Sequence, residues 1–325
     1  MNPRRLRIGS IFAGLALLWS AAAPQAQTYP TKPVRMIVPY APGGAPDVLA
    51  RSLSPSLSET FKQQFVVENR PGAGGIGAAK AVAHSSADGQ VLFFSDIQQL
   101  AINPYLFAKL PYQAAKDFTP VTLAAAIPLY VAVQSSLNVH NLADLAALAK
   151  AKPGMLTYGS SGIGSIHHIT MESLKNGLGV DIVHVPYKGA GQSVPAFMGG
   201  ETSLVIAAYP ALEQYVKTGK ARIIAVTTLE RPAMTPDVPA VSETIPGFDF
   251  SSEMGIVVPA GTPAPIVKQL SSAVASALKH PDAVQRLNAM GATAIGSTPE
   301  GYAANIRTNL EKFGKAVKLA GITPN

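Results

Sequence analysis

The chain of 325 residues contains no cysteine. Disulfides, thiolate nucleophiles and cysteine-held metals are therefore excluded, as is a lipid anchor carried on cysteine. Charge of one sign is also in short supply. Lysine and arginine exceed aspartate and glutamate by 26 to 19, and setting aside Arg4, Arg5 and Arg7 near the start leaves 23 minus 19, or +4. That surplus suits an anionic partner only weakly. The basic residues are scattered, with no basic block and no interleaved aromatics, so no nucleic-acid partner is expected. Beyond the N-terminal region, no segment reads as a membrane-spanning helix.

Catalytic signatures are missing too. "GSSGIGS" is not a G-x-S-x-G nucleophile elbow, because Ser161 stands in G-S-S-G. Histidines occur at 84, 140, 167, 168, 184 and 280, but no spacing orders a triad. His167 and His168 are adjacent and point in different directions on a helix. No H-E-x-x-H or carboxylate cluster accompanies them. His84, His140 and His280 read as surface residues at helix ends. The expectation is a protein that is not an enzyme and holds no metal or cofactor.

What is present begins with a leader. "MNPRRLR" precedes the apolar "IGSIFAGLALLWSAAA" and then "PQAQ", the n, h and c regions of a secretory signal. Cleavage is expected near Ala26, with residues 1–26 removed and the mature chain in the periplasm. A retained anchor is the rival reading, against which the apolar stretch is short. The rest alternates strand and helix. "VRMIVPY" (34–40), "QQFVVEN" (63–69) and "VLFFS" (91–95) read as strands separated by helices, and a second series of the same kind begins at "LYVAVQ" (129–134). Alternation of this kind implies parallel sheets covered on both faces. After "EMGIVVPAGTP" (253–263) the tail is mostly helical. It offers few new strands, so it is expected to cross back and cover the first sheet. The fold class expected is α/β with two lobes, each a mostly parallel sheet flanked by helices, and a cleft between them. The first lobe would comprise 27–128 and 251–325, and the second 129–250.

Two loops invite attention. "VPYAPGGAPDVLAR" (38–51) places Pro42, Gly43 and Gly44 between a strand and a helix. Such a turn aims backbone N–H groups outward at a helix N-terminus, which favours negative charge. The bland reading is a plain turn in which Asp47 caps its own helix. It is not a dinucleotide fingerprint, and no Walker lysine follows. "YGSSGIGSIHH" (158–168) offers Ser160, Ser161, Gly162, Gly164 and Ser165 in the equivalent place of the second series. A capped turn explains one such loop but not its repetition, so the pair reads as two halves of an anion clamp. A third glycine turn, "ENRPGAGG" (68–75), reads chiefly as close helix packing rather than as cleft floor.

Taken together, "YPTKPVRMIVPYAPGG" with Asp47, "VVENRPGAGGIGAAKAVAHSSADG", "LTYGSSGIGSIHH", "VHVPYKGAGQSVPAFMGGE" and "RIIAVTTLERPAMTPDVPAVSE" resemble the Bug family, the TctC-like receptors of tripartite tricarboxylate transporters. The resemblance covers essentially the whole mature chain. It implies a two-lobed periplasmic binding protein that closes on a small carboxylate and makes or breaks no bond. Matching positions imply ligand contacts at Tyr40, Ala41, Gly43, Gly44 and Asp47, and at Ser160, Ser161, Gly162, Ser165 and His168. Pro186 and Tyr187 follow the next strand, with Lys188 beside them as a possible cation. Implied partners are a small organic carboxylate and the transmembrane subunits of a transporter, with the receptor a monomer. A sensor kinase in place of the transporter, or an exported hydrolase using Ser165 and His168, are the alternative readings. Two positions depart from the family pattern. Pro46 replaces a hydroxyl residue and removes a donor. Ala208 and Tyr209 stand where an acid is common, which argues against an amino-acid ligand and tilts the expectation towards a larger or more apolar acid, with Tyr209 at the pocket.

Overall fold

The computed structural model describes residues 29–324; the leader lies outside them. In chain order the elements are β1 (Val34–Val38), α1 (Ala45–Phe61), β2 (Phe65–Asn69), α2 (Ile76–Ala83) and β3 (Val91–Asp96). A π-helical turn (Gln98–Ile102) runs into α3 (Asn103–Leu106), followed by α4 (Ala114–Asp117) and β4 (Phe118–Pro128). The second series is β5 (Tyr130–Gln134), α5 (Leu142–Ala151), β6 (Thr157–Ser160), α6 (Ile166–Leu178), β7 (Val183–Pro186), α7 (Ala190–Met198), β8 (Leu204–Ala207), α8 (Tyr209–Lys217) and β9 (Ala221–Val226). The tail supplies β10 (Ser251–Pro259), α9 (Ala264–Ala277), α10 (Pro281–Met290), β11 (Thr293–Ala294) and α11 (Pro299–Leu319).

The strands form two sheets. One has six strands in the order β11-β4-β10-β3-β1-β2, and the other has five in the order β7-β6-β8-β5-β9. Both are mixed rather than mostly parallel. β1 is parallel to β2 and β3, and β6 to β7 and β8, as the βαβ alternation requires. β10 runs antiparallel to β3 and β4, and β5 antiparallel to β8 and β9. The reason is connectivity. β4 ends at Pro128 and β5 begins at Tyr130, so a single residue, Leu129, separates strands of different sheets. Such strands pass between sheets without a crossover helix, and nothing then enforces a parallel return.

The apolar residues explain the layers. β1 buries Val34, Met36, Ile37 and Val38, the near-continuous pattern of a strand covered on both faces. α1 buries Leu49, Leu53 and Leu57 at four-residue spacing and packs on β2, α9 and α10. Pro55 lies inside α1 but on its exposed side, where the carbonyl it leaves unpaired can meet water. α11 joins the halves. It packs on β4 of the first sheet and on α6 beside the second, and Phe313, Ala316 and Val317 share a core with Leu156, Ile169 and Leu204. Behind them, Thr227 binds both passages at once. Its N–H donates to the Leu129 carbonyl at 2.9 Å and its hydroxyl to the Phe250 carbonyl at 2.6 Å.

Candidate functional site

Parallel strands of an open sheet leave a crevice outside their carboxyl ends. β1 and β3 are neighbours, so Tyr40 and Asp96, just past or at their ends, come together. The Tyr40 hydroxyl donates to Asp96 Oδ2 and accepts from Gln99 Nε2 at 3.1 Å. Asp96 Oδ1 accepts from the backbone N–H of Gln98 at 2.8 Å. Burial pushes the Asp96 carboxyl up to about 6 despite these donors.

The equivalent edge of the second sheet is the loop after β6. Gly162 and Gly164 take φ of 125° and 73°, which side chains rarely tolerate, and turn the chain into α6. Ser165 caps that helix, accepting from the His168 N–H at 3.2 Å and donating to the Gly162 carbonyl at 2.7 Å. Ser161 Oγ lies 2.6 Å from His167 Nδ1. His167 is held neutral, its pKa pushed down to about 4 by burial.

Beneath the loop lies an aromatic stack. His168 lies 3.9 Å from His184, ring centre to ring centre, and His184 lies 4.8 Å from Tyr158. The Gly164 N–H donates to His168 Nδ1 at 3.0 Å, so that nitrogen carries no proton. Ser160 Oγ meets His184 Nε2 at 2.6 Å. Tyr158 in turn donates to Glu172 at 2.6 Å, which also pairs with Lys175 at 2.8 Å. Burial lowers the pKa of both stacked histidines, that of His184 to about 4.

Between the two edges lies a cavity of about 400 Å³. From the first sheet's side come Tyr40, Gly74, Asp96, Ile97, Gln98 and Ser252, and from the second's Ser161, Ile163, Ser165, Ile166, His167 and Gly189. A larger open groove of about 750 Å³, beside Phe61 and Lys268, lies on the outer face of the first sheet and meets no loop of the second. In the cavity no lysine or arginine is among the lining residues, so a bound anion would rest on hydroxyls and amides. Gly189 opens α7 as Ser165 opens α6, so two helix N-termini face the cavity.

Of the residues expected at the site, Tyr40, Ser161 and Ser165 line this cavity. Ala41 and Gly43 are exposed and Gly44 is half-buried at the start of α1. Asp47 is 2 % exposed and lies under that loop. Its carboxylate accepts from the Gly43 N–H, Arg51 and Asn69 at 2.9, 3.0 and 2.8 Å. Burial alone would raise its pKa, but these donors outweigh burial and hold it below the usual carboxylate value. Asp47 thus braces the loop that precedes the N-cap Gly44 rather than the cavity wall. Ser160 and His168 are buried in the stack, and Gly162 carries the turn above it. Pro186 is exposed, Tyr187 donates to Glu201 at 3.2 Å, and the exposed Lys188 uses its N–H on Gln192 at 3.1 Å. Tyr209 is not brought to the cavity. Its ring packs on Tyr130 at 5.6 Å and borders a different hollow beside β9, because β8 ends at Ala207 and α8, which Ala208 caps, carries Tyr209 away.

Asp96, Gln98 and His167 were not singled out as site residues from the sequence, and neither was the glycine floor. Gly74 lines the cavity, and its carbonyl accepts from Gln99 and Asn103 at 3.1 and 3.0 Å. Gly75, with φ of 79°, does serve close packing, since a Cβ there would stand 2.7 Å from Pro39 Cβ.

Comparison with known proteins agrees with this fold. The family described as "Tripartite tricarboxylate transporter family receptor" matches residues 49–322. BugT of Bordetella pertussis is 33% identical over 323 residues, 99% of each chain. Among solved structures, Rpa4515 of R. palustris with adipate is 34% identical with a TM-score of 0.79, covering 91% of this chain and 100% of that one. MatC of Rhodopseudomonas palustris with bound malate is 30% identical with a TM-score of 0.74, covering 89% and 100%. Receptors of this kind bind solutes and are not enzymes. With two lobes, a cleft at their strand ends and this agreement along its length, the chain belongs to the TctC, or Bug, family of periplasmic solute receptors.

Proposed function

We propose that the protein binds a small organic carboxylate in the 400 Å³ cavity and delivers it to the membrane subunits of a tripartite tricarboxylate-type transporter. The observation that carries the reading is the convergence of two helix N-termini with the Ser161 and Ser165 hydroxyls on a cavity without cationic side chains. Fixed dipoles and hydroxyls replace the water of a carboxylate as the lobes close, and the closed form is what the transporter reads. In this reading 27–128 with 251–325 form one lobe and 129–250 the other, the leader is cut near Ala26, and the receptor works as a monomer. Relatives solved with adipate and with malate support the ligand class.

A thermal-shift screen tests the proposal. A ligand present at about a hundred times its Kd stabilises the fold by about 2.7 kcal/mol. Mono- or dicarboxylates are expected to raise the melting temperature, and sugars or metal cations to leave it unchanged. The reverse pattern would refute the proposal. Asp47→Ala is expected to cost about 2 kcal/mol in urea denaturation, because the Gly43 N–H, Asn69 and Arg51 all lose a partner. It should also weaken ligand binding about tenfold, since Asn69 ties Asp47 to the Tyr40 carbonyl at 3.0 Å. Unchanged affinity would restrict Asp47 to bracing its loop.

A further inference from the structure

A carboxylate-binding cavity that contains a carboxylate of its own needs an explanation. Asp96 is the acid among the lining residues, and no lysine or arginine there neutralises it. It accepts from the Tyr40 hydroxyl and from the backbone N–H groups of Gln98 and Gln99. A carboxylate has about four acceptor sites, so part of its capacity is left for whatever fills the cavity. The phenols that feel its charge, those of Tyr40, Tyr112 and Tyr302, stay neutral because burial pushes each pKa upward. With its own pKa at about 6, Asp96 is an anion at pH 7.5. A second ionised carboxylate placed against it would be repelled. The opposite wall has the contrary character, with Ser161, Ser165, neutral His167 and two helix N-termini.

We propose that Asp96 is the specificity-determining acceptor of this cavity, and that the ligand is a carboxylate bearing a hydrogen-bond donor, a hydroxyl or an ammonium, at the end that meets β3. The inference rests on the carboxylate reading above and refines it. The ligand's carboxylate lies against the α6 and α7 N-termini, and its donor lies against Asp96. Asp96 thus supplies, from the first lobe, the acid that Ala208 and Tyr209 do not supply from the second. Ile97, Ile163 and Ile166 line the space between and accommodate the carbon skeleton.

Matched acids differing by one group provide the test. Affinities at pH 7.5 are measured for butyrate, 4-hydroxybutyrate and 4-aminobutyrate, for hexanoate, 6-hydroxyhexanoate and 6-aminohexanoate, and for benzoate and 3-hydroxybenzoate. Within the series that binds, the donor-bearing member is expected to bind about tenfold to a hundredfold more tightly, as a hydrogen bond to a charged group requires. The hydroxyl and amino arms show which donor is used. Asp96→Asn replaces an acceptor oxygen by a donor at constant shape. It should erase or invert that preference, tightening the unsubstituted acid while weakening the substituted one. General damage to the fold would weaken both. If the unsubstituted acid is preferred, or if Asp96→Asn leaves the ratio unchanged, the inference is wrong although the carboxylate reading stands. If no carboxylate binds, both fall.

Discussion

Moving from pH 7 to pH 5 is expected to lower the unfolding free energy of the receptor, with the loss centred on the loop after β6. His167 and His184 have folded-state pKa values of about 4, and that of His168 is also depressed. In the unfolded chain each takes a proton near pH 6.5. The unfolded state therefore binds more protons between about 6.5 and 4, and stability falls as pH falls through that window. At pH 5 the cost is about 2 kcal/mol for each of His167 and His184. Asp96 and Glu253, whose pKa values are raised by burial, act in the opposite sense. Asp96 returns about 1 kcal/mol over the same range, so a net loss of roughly 2–3 kcal/mol remains. Urea denaturation at the two pH values measures it, and His184→Gln should flatten the dependence. Stability that is level or rising towards pH 5 would contradict the neutral, stacked assignment of these rings.

Gly255→Ala is expected to cost about 3 kcal/mol. Gly255 sits in β10, at a register irregularity where that strand pairs with β4. Its backbone is ordinary, so the restriction comes from space. A Cβ would stand 2.7 Å from Tyr302 Cε1, and Tyr302 on α11 is 3 % exposed with nowhere to swing. The double variant Gly255→Ala/Tyr302→Ala should cost clearly less than the sum of the two singles, because removing the ring removes the clash. A Gly255→Ala melting temperature within a degree of wild type would show that α11 yields more easily than its burial suggests.

The sequence discloses much of this architecture, and where it fails the reasons are physical. Helices such as α1 and α6 fall between strands, where the alternation requires them. β4 went unread because "FTPVTLAAAIP" carries Pro120 and Pro128 and is buried along most of its length, so it shows neither alternation nor a β-branched run. Antiparallel crossing was illegible because local pattern records the period of a strand and not its direction. At the site, both loops were found, but the choice among neighbours was not. His167 and His168 are consecutive on α6, and one faces the cavity while the other lies in the stack. That depends on how the helix is rotated, which residues such as Ile169 and Met171 fix through distant packing. Asp96 is the last residue of β3, one past the stretch 91–95 that reads as a strand. Only the pairing of β3 with β1 brings it to Tyr40.

The position of β10 has a consequence in time. It sits between β3 and β4, with Met254 opposite Asp96 and Pro259 opposite Phe118. The first sheet therefore remains split, with an open edge on β3 and another on β4, until Pro259, about four-fifths of the way along the 325 residues, has been synthesised. Pairings this far apart in sequence close large loops and form slowly. A polypeptide emerging from the ribosome cannot complete its N-terminal lobe early, as a chain of sequential domains would. The strand that completes the sheet is thus also the one that sets the earliest moment at which this lobe can fold.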